Sequence, residues 1–501
     1  MTSRARVGIV GCGVISHAYA ENAAAFDRFE ILACADRDPL RSEALAAAHG
    51  LASTTVDDLL ACEDVDVVLN LTPPSVHEDV TRAALESGKH VYSEKPLAMS
   101  AAASADLLDL ADRTGLRVGC APDVFLGGAF QEARSLIDSG SIGRPLGVSA
   151  TMLAGGQEAW HPDPDIFFRD GAGPLLDMGP YYLTAIVALL GPIVRVAGLS
   201  TTFVAERTIE IGPRRGERFA AETPTHTTAA LELGCGATAT LLATFEAPSH
   251  YSSTFLVLGS EGTLLLPDPN MFGETIRLRG GRGEWEVHPY RSRGAREVRG
   301  IGLQDMVDAI AHDREPRASG RLALHVIDVA RSILAAAESG TTLQVGSTVD
   351  RPDPLPVEKT VAARRAASSR SLAARRRSSS RRRRPRRVSQ TATATSTSGA
   401  AATRIASTTT ASQASTANAL SRARSRREPG TGAVDDSSVR SSSWIVAFCA
   451  TWAVAARLAR SSRSSACACA RRSRRRARSA AVSARSIAAV SAATCARSRS
   501  S

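Results

Sequence analysis

The sequence predicts an α/β fold in two parts: a parallel-sheet domain first, then an α/β domain built on an antiparallel sheet. Three observations predict it. Strand-like apolar runs alternate with helical patterns over about the first 120 residues, as in a βαβ series. A glycine-rich turn joins the first strand to the first helix. From Asp123 onward, strands follow one another across short turns, which implies antiparallel pairing.

The first strand, Val7–Val10, runs into Gly11-Cys12-Gly13-Val14-Ile15-Ser16 and a helix over His17–Phe26. A second strand, Glu30–Ala35, ends on Asp36, which lies 20 positions after Ser16. This is a dinucleotide-binding arrangement. Gly11 makes the tight turn, and Gly13 lets the backbone approach the pyrophosphate. That charge then rests on the helix start at Val14 and Ile15. Ser16 replaces the third glycine of the G-x-G-x-x-G pattern and is small enough for close helix–strand packing. Asp36 would take the adenosine ribose 2′-hydroxyl, which favours NAD. Arg37 beside it could accept a 2′-phosphate, so NADP stays open.

Helix Pro39–His49 follows, then a helical segment after Thr55 and a near-continuous apolar strand, Val65–Leu71, buried on both faces. It ends at Thr72-Pro73-Pro74, at the carboxyl end of the sheet where ligands of doubly wound sheets bind. A helix over Ser75–Ser87 stops at Gly88, and strand His90–Ser93 leads into Glu94-Lys95-Pro96. Helix Ser100–Thr114 and strand Arg117–Cys120 complete a first domain over 1–122.

The second domain, 123–356, opens with helix Gly128–Ser139 and strand Leu146–Leu153, then a turn-rich stretch from Gly155 to Gly173. One long helix is expected from Pro174 to Leu190. Strands are expected at Val194–Phe203, His226–Leu233, Ala237–Phe245, Thr254–Gly259, Gly262–Leu266 and Ile276–Arg279. Helices over Leu303–His312 and Arg321–Glu338 close the domain.

The net charge of +11 hides two unlike parts. From Val361 onward there are 30 Arg, no Lys and three acids, so the tail carries +27 and the preceding body −16. Segment 357–501 is rich in Arg, Ser and Ala and has too little apolar surface to offset ordering entropy, so disorder is expected. Two origins stay open: a basic arm for nucleic acid, or GC-rich DNA translated in a wrong frame. The apolar stretch Trp444–Ala456 is too short to span a membrane. Nine Cys are scattered without metal-type spacing, no metal is expected, and no signal-like segment precedes the first strand. The expected compartment is the cytoplasm.

Several residues could carry chemistry. Lys95 abuts the nucleotide crevice, where an ammonium can stabilise alkoxide character. Asp177 and Tyr181 are four apart and would share one helix face. A phenol beside a carboxylate and an ammonium can serve as general acid and base. His161, after Trp160, could donate to a polar substrate. His77 could be a cap or a nicotinamide-side contact, and His226 could face the site or the core. Each has a structural alternative in packing or pairing.

The order of these landmarks resembles the glucose–fructose oxidoreductase/inositol dehydrogenase (Gfo/Idh/MocA) family over about residues 5 to 350. Gly8–Ser16, Asn70–His77, Glu94-Lys95-Pro96-Leu97-Ala98, Asp177-Met-Gly-Pro-Tyr181, Gly259–Thr263 and Arg299-Gly-Ile-Gly-Leu303 carry the resemblance. It implies a Rossmann domain and a second α/β domain with a large, mostly antiparallel sheet that serves as an oligomer interface. It also implies an NAD(P)-dependent oxidoreductase acting on a secondary alcohol or ketone of a sugar, cyclitol or polyol. Lys95 would be the catalytic lysine. Tyr181 stands where inositol dehydrogenases have His, as in glucose–fructose oxidoreductase and dihydrodiol dehydrogenase, which puts inositol in doubt. On this reading Lys95, Asp177 and Tyr181 are catalytic, and His161 joins Lys95 and Tyr181 on the substrate. Gly11, Gly13, Val14, Ile15, Asp36, Arg37, Thr72, Pro73, His77, Glu94 and Lys95 hold the cofactor. The competing reading is a non-catalytic dinucleotide-binding sensor or scaffold tethered by the tail.

Overall fold

The computed structural model describes residues 4–247, 253–272, 275–290 and 297–356. The Arg-rich tail, with the disorder and the possible nucleic-acid contact expected of it, lies outside the described residues.

The N-terminal part alternates β1 (Ala5–Val10), α1 (Val14–Asn22), β2 (Phe29–Ala35), α2 (Pro39–His49), β3 (Ala52–Thr54), α3 (Val56–Ala61) and β4 (Val67–Asn70). It continues through α4 (His77–Glu86), β5 (His90–Ser93), α5 (Ala101–Thr114) and β6 (Val118–Cys120). The six strands pair in parallel in the order β3-β2-β1-β4-β5-β6. This is the doubly wound order, and its switch point lies between β1 and β4. Helices cover both faces, so Val7, Ile9, Val67, Val68 and Leu69 are fully buried. Local chemistry sets the helix ends. Asp38 caps α2 by accepting from Leu40 N–H, with Pro39 in its first turn, and Gly50 ends it in the left-handed region (φ 71°).

The second part contains α6 (Gly128–Asp138), β7 (Pro145–Leu153), α7 (Gly173–Asp177), α8 (Gly179–Leu190) and β8 (Ile193–Thr201). A ribbon of β9 (Glu206–Thr208) and β10 (Arg218–Ala220) precedes β11 (His226–Leu233), β12 (Thr238–Thr244), β13 (Thr254–Gly259) and β14 (Gly262–Leu266). Then come β15 (Ile276–Gly280), β16 (Glu286–His288), α9 (Ile301–Ala311), α10 (Gly320–Ser339) and β17 (Leu343–Gln344). Nine strands form one sheet in the order β16-β15-β14-β13-β7-β12-β11-β8-β17. Only the β12–β7 pair is parallel among them, so the sheet is mixed and mostly antiparallel.

One face of this sheet packs on α8 and α10. All of α8 is buried, and β8 approaches α10 so closely that a Cβ on Gly198 would lie 2.6 Å from the Ile333 carbonyl oxygen. The other face presents Leu199, Thr228, Ala230 and Thr240 to solvent.

The expected long helix from Pro174 to Leu190 is two helices, α7 and α8, separated at Met178 (φ −104°, ψ −29°). Pro180 explains the break, because it has no N–H to donate to Leu176 and its ring would strike that carbonyl. The short strands β3, β9, β10, β16 and β17 carry too little apolar alternation to be read from the sequence.

Candidate active site

The glycine turn is shaped by steric need. Gly11 has φ 98°, and a Cβ there would lie 2.6 Å from both Leu71 C and Thr72 N. A Cβ on Gly13 would meet nothing within 4 Å, so open space lies over the turn. No side chain caps α1, and Val14 is exposed. Ser16 is fully buried, its Oγ donating to Gly13 O at 2.6 Å. Asp36 stands at the end of β2 with its carboxylate accepting from Cys12 N–H at 2.7 Å and Asp38 N–H at 2.9 Å. Arg37 beside it is exposed. Thr72 is tied to the buried Asn70, its Oγ1 donating to Asn70 Oδ1 at 2.6 Å, and Pro73 is exposed. These features fit a dinucleotide: a backbone turn with room above it, free N–H groups at a helix start and a carboxylate near the adenosine end.

His77 is 1% exposed, and its ring nitrogens lie 2.6 Å from Pro96 O and 2.7 Å from Thr72 O. Each nitrogen faces a backbone carbonyl, and the one that carries the proton donates to it. The ring is buried between the Thr72 and Pro96 turns, and α4 has no side-chain cap. Burial holds its pKa below the usual value.

Lys95 follows β5, joined to Pro96 by a cis peptide bond. Its Nζ donates to the Asp177 carbonyl oxygen at 2.6 Å and to Asp177 Oδ1 at 2.7 Å. The helix break makes this possible. In a continuous helix, Tyr181 N–H would bond Asp177 O. Here it donates instead to Met178 O at 3.1 Å, which frees the Asp177 carbonyl for Lys95. Burial disfavours the ammonium, but Asp177, Tyr181 and Glu94 outweigh it and raise the Lys95 pKa. Glu94 accepts from the Tyr19 hydroxyl at 3.1 Å.

Tyr181 lies in the first turn of α8 with its ring centroid 5.5 Å from Lys95 Nζ. Burial pushes the phenol's pKa up, and the opposing charges of Arg299 and Lys95 do not fully offset it. The structure brings Lys95, Asp177 and Tyr181 together. The His161 ring packs on Trp160 and Phe167, and its Nδ1 accepts from Asp163 N–H at 3.1 Å. His226 lies on β11 against Phe203 and Thr244.

Sequence reasoning missed a second group. Arg299 Nη2 donates to Tyr181 Oη at 3.3 Å and to Asn270 Oδ1 at 2.8 Å, while its Nη1 reaches the fully buried Asp123 at 3.4 Å. Its signal was its place in the Arg299-Gly-Ile-Gly run. Among the described residues no group of three or more His, Cys, Asp or Glu could hold a metal ion, and no helix is long and apolar enough to cross a membrane.

A doubly wound sheet with this turn, and a lysine held by a carboxylate at its carboxyl edge, defines a nicotinamide-dinucleotide oxidoreductase. The chain belongs to the Gfo/Idh/MocA family. Residues 5–121 match its oxidoreductase model with NAD-binding Rossmann fold, and residues 130–265 match its C-terminal domain. The chain is 34% identical over 266 residues to a dTDP-3,4-didehydro-2,6-dideoxy-alpha-D-glucose 3-reductase of Streptomyces violaceoruber, covering 52% of this chain and 72% of the relative. It is 26% identical over 349 residues to a D-xylose 1-dehydrogenase (NADP(+)) of Haloferax volcanii, covering 68% and 98%. Among solved structures, levoglucosan dehydrogenase in complex with NADH and L-sorbose shares the fold, with a TM-score of 0.62 at 21% identity, covering 69% of this chain and 99% of that one.

Proposed function

We propose that this protein interconverts a secondary alcohol and a ketone on a sugar, cyclitol or related polyol, with Lys95, Asp177 and Tyr181 as its catalytic residues. The observation that carries the reading is the Lys95 ammonium bound twice by Asp177, with the Tyr181 phenol beside it. Gly11, Gly13, Val14, Ile15, Asp36 and Thr72 would hold the dinucleotide, and the nicotinamide supplies the hydride acceptor or donor when bound.

The chain does the rest. An ammonium has three protons, and two go to Asp177. The third is free to bind the substrate oxygen and to stabilise negative charge as it develops there. Asp177 keeps the lysine charged and fixes its direction. Tyr181, protonated near neutrality, gives its proton to the ketone oxygen in reduction and recovers it in oxidation. Asp36 favours NAD over NADP by charge, with Arg37 as the route by which a 2′-phosphate would be tolerated. We also propose that copies associate through the solvent-facing side of the nine-stranded sheet and work in the cytoplasm, with Cys12, Cys34, Cys62 and Cys120 as thiols.

The test is nicotinamide absorbance across a panel of sugars, cyclitols and their keto forms with each cofactor. Turnover is expected with at least one polyol, with NAD ahead of NADP. Cofactor binding without turnover on any polyol or ketone would overturn the reading in favour of a sensor or scaffold.

A further inference from the structure

We propose that Arg299 is the positioning residue for Tyr181, aiming its hydroxyl and making the phenol acidic enough to exchange a proton. The inference rests on the reading of Tyr181 as the proton-transfer group.

The geometry carries it. Arg299 comes from the segment before α9, far in sequence from α8, and reaches Tyr181 Oη at 3.3 Å. A guanidinium has donors and no acceptor. The phenol oxygen must therefore accept from Arg299, and its own proton is directed away from the guanidinium. The same cation lies 5.2 Å from the Tyr181 ring centroid and 5.7 Å from that of Phe272. Arg299 is itself held on every side. Asn270 takes Nη2 at 2.8 Å, Asp123 takes Nη1, and the Arg299 carbonyl accepts from Asn22 Nδ2 at 3.3 Å. Asp123 in turn accepts from Gly300 N–H at 3.3 Å and Gly302 N–H at 3.0 Å, so the backbone around Arg299 is fixed to the same carboxylate.

Electrostatics point the same way. The charged groups that face Tyr181 are Arg299 and Lys95, which favour phenolate, and Glu94 and Asp177, which oppose it. Lys95 is already neutralised by Asp177 at 2.7 Å, and Arg299 is the larger of the two favourable influences. An unassisted buried tyrosine would hold its proton too tightly to give it up and take it back.

The experiment places a ring-fluorinated tyrosine at position 181 of the full chain and follows its ionisation by fluorine NMR. Fluorination makes the phenol more acidic and so moves its titration toward neutral pH. Arg299→Met is expected to raise the ionisation by about 1 to 3 pH units, the effect of one close opposite charge. Arg299→Lys is expected to restore part of it. Kinetics on the unlabelled variants should show kcat falling at least tenfold with KM little changed. An ionisation that does not move in Arg299→Met overturns the proposal. So does a loss of kcat without that shift, which would mark a merely structural role. If Arg299→Met does not fold, Arg299→Gln decides, because glutamine keeps hydrogen-bond donors for Asp123 without the charge, and an unmoved titration there refutes the assignment. The NMR readout needs no turnover. Full activity in Tyr181→Phe would defeat the catalytic reading of Tyr181 separately.

Discussion

Lys95→Met separates chemistry from binding. The side chains of Lys95 and Asp177 are 15% and 21% exposed, and the lysine fills both the carbonyl and the carboxylate of Asp177. Removing it leaves a largely buried carboxylate and a helix-end carbonyl without their cation. Breaking a buried pair costs about 3–5 kcal/mol. The low end applies here, because one-fifth of the carboxylate side chain still reaches water. Activity should fall further than stability. Loss of one preorganised donor to a developing oxyanion costs about 10²–10³ in turnover. The assay is single-turnover reduction of the cofactor at saturating polyol, with cofactor fluorescence titration and thermal melting alongside. Turnover should drop by at least two orders of magnitude, the melting point should fall, and cofactor affinity should stay within about threefold. Asp177→Asn added to Lys95→Met should regain part of the stability, because it removes the orphaned charge, and none of the activity. Turnover within threefold of the parent would refute the reasoning outright.

Gly11→Ala should abolish cofactor binding by fluorescence titration, since its Cβ would press on the Leu71–Thr72 backbone at 2.6 Å. Arg207, 3% exposed, holds Glu158 at 2.7 Å and also pairs with Glu246. Arg207→Met should cost about 3–5 kcal/mol in denaturant unfolding by stranding two carboxylates, whereas an unchanged midpoint would show the trio to be energetically idle. His325 is fully buried, with Nε2 accepting from Ile193 N–H at 3.1 Å, and burial lowers its pKa from 6.5 to about 4. A lowered folded-state pKa means stability that is complete above 6.5 and lost as pH falls toward 4, amounting to about 3 kcal/mol. Denaturant midpoints across that window should decline, and His325→Gln should flatten the slope.

Much of this architecture was legible because its signals are local. Strands His90–Ser93, His226–Leu233, Thr254–Gly259 and Gly262–Leu266 have the predicted bounds, because turn residues bracket short apolar runs. Caps at Asp38 and Ser100 announce their helices in the same way. The site was legible to the extent that it is a list of residue types in order. Its assembly was not, because it depends on a break that a helical pattern conceals. Leu175, Leu176, Leu183 and Ile186 all keep helical spacing across Met178, and all are buried, so periodicity reads through the interruption. Pro180 falls inside the helix expected from the sequence, and in the structure it is a first-turn residue of α8. What it does is displace one hydrogen bond, from Asp177 O to Met178 O, and the vacated carbonyl becomes half of the seat for Lys95.

The same logic explains why Arg299 escaped notice while Lys95 did not. Lys95 follows a strand of the nucleotide sheet, and the topology alone places it at the carboxyl edge. Arg299 reaches Tyr181 across 118 residues of chain and meets Asp123 across 176, so no spacing rule connects them. Two cations of opposite tasks thus converge on one phenol. Lys95 is tied to Asp177, and its remaining proton is available to the substrate. Arg299 is tied to Asp123 and Asn270, and its Nη2 also reaches the tyrosine oxygen. If both charges served only to pair with carboxylates, exchanging Arg299 for glutamine would leave the pH dependence of turnover unchanged. A site in which Arg299 tunes Tyr181 requires that profile to move.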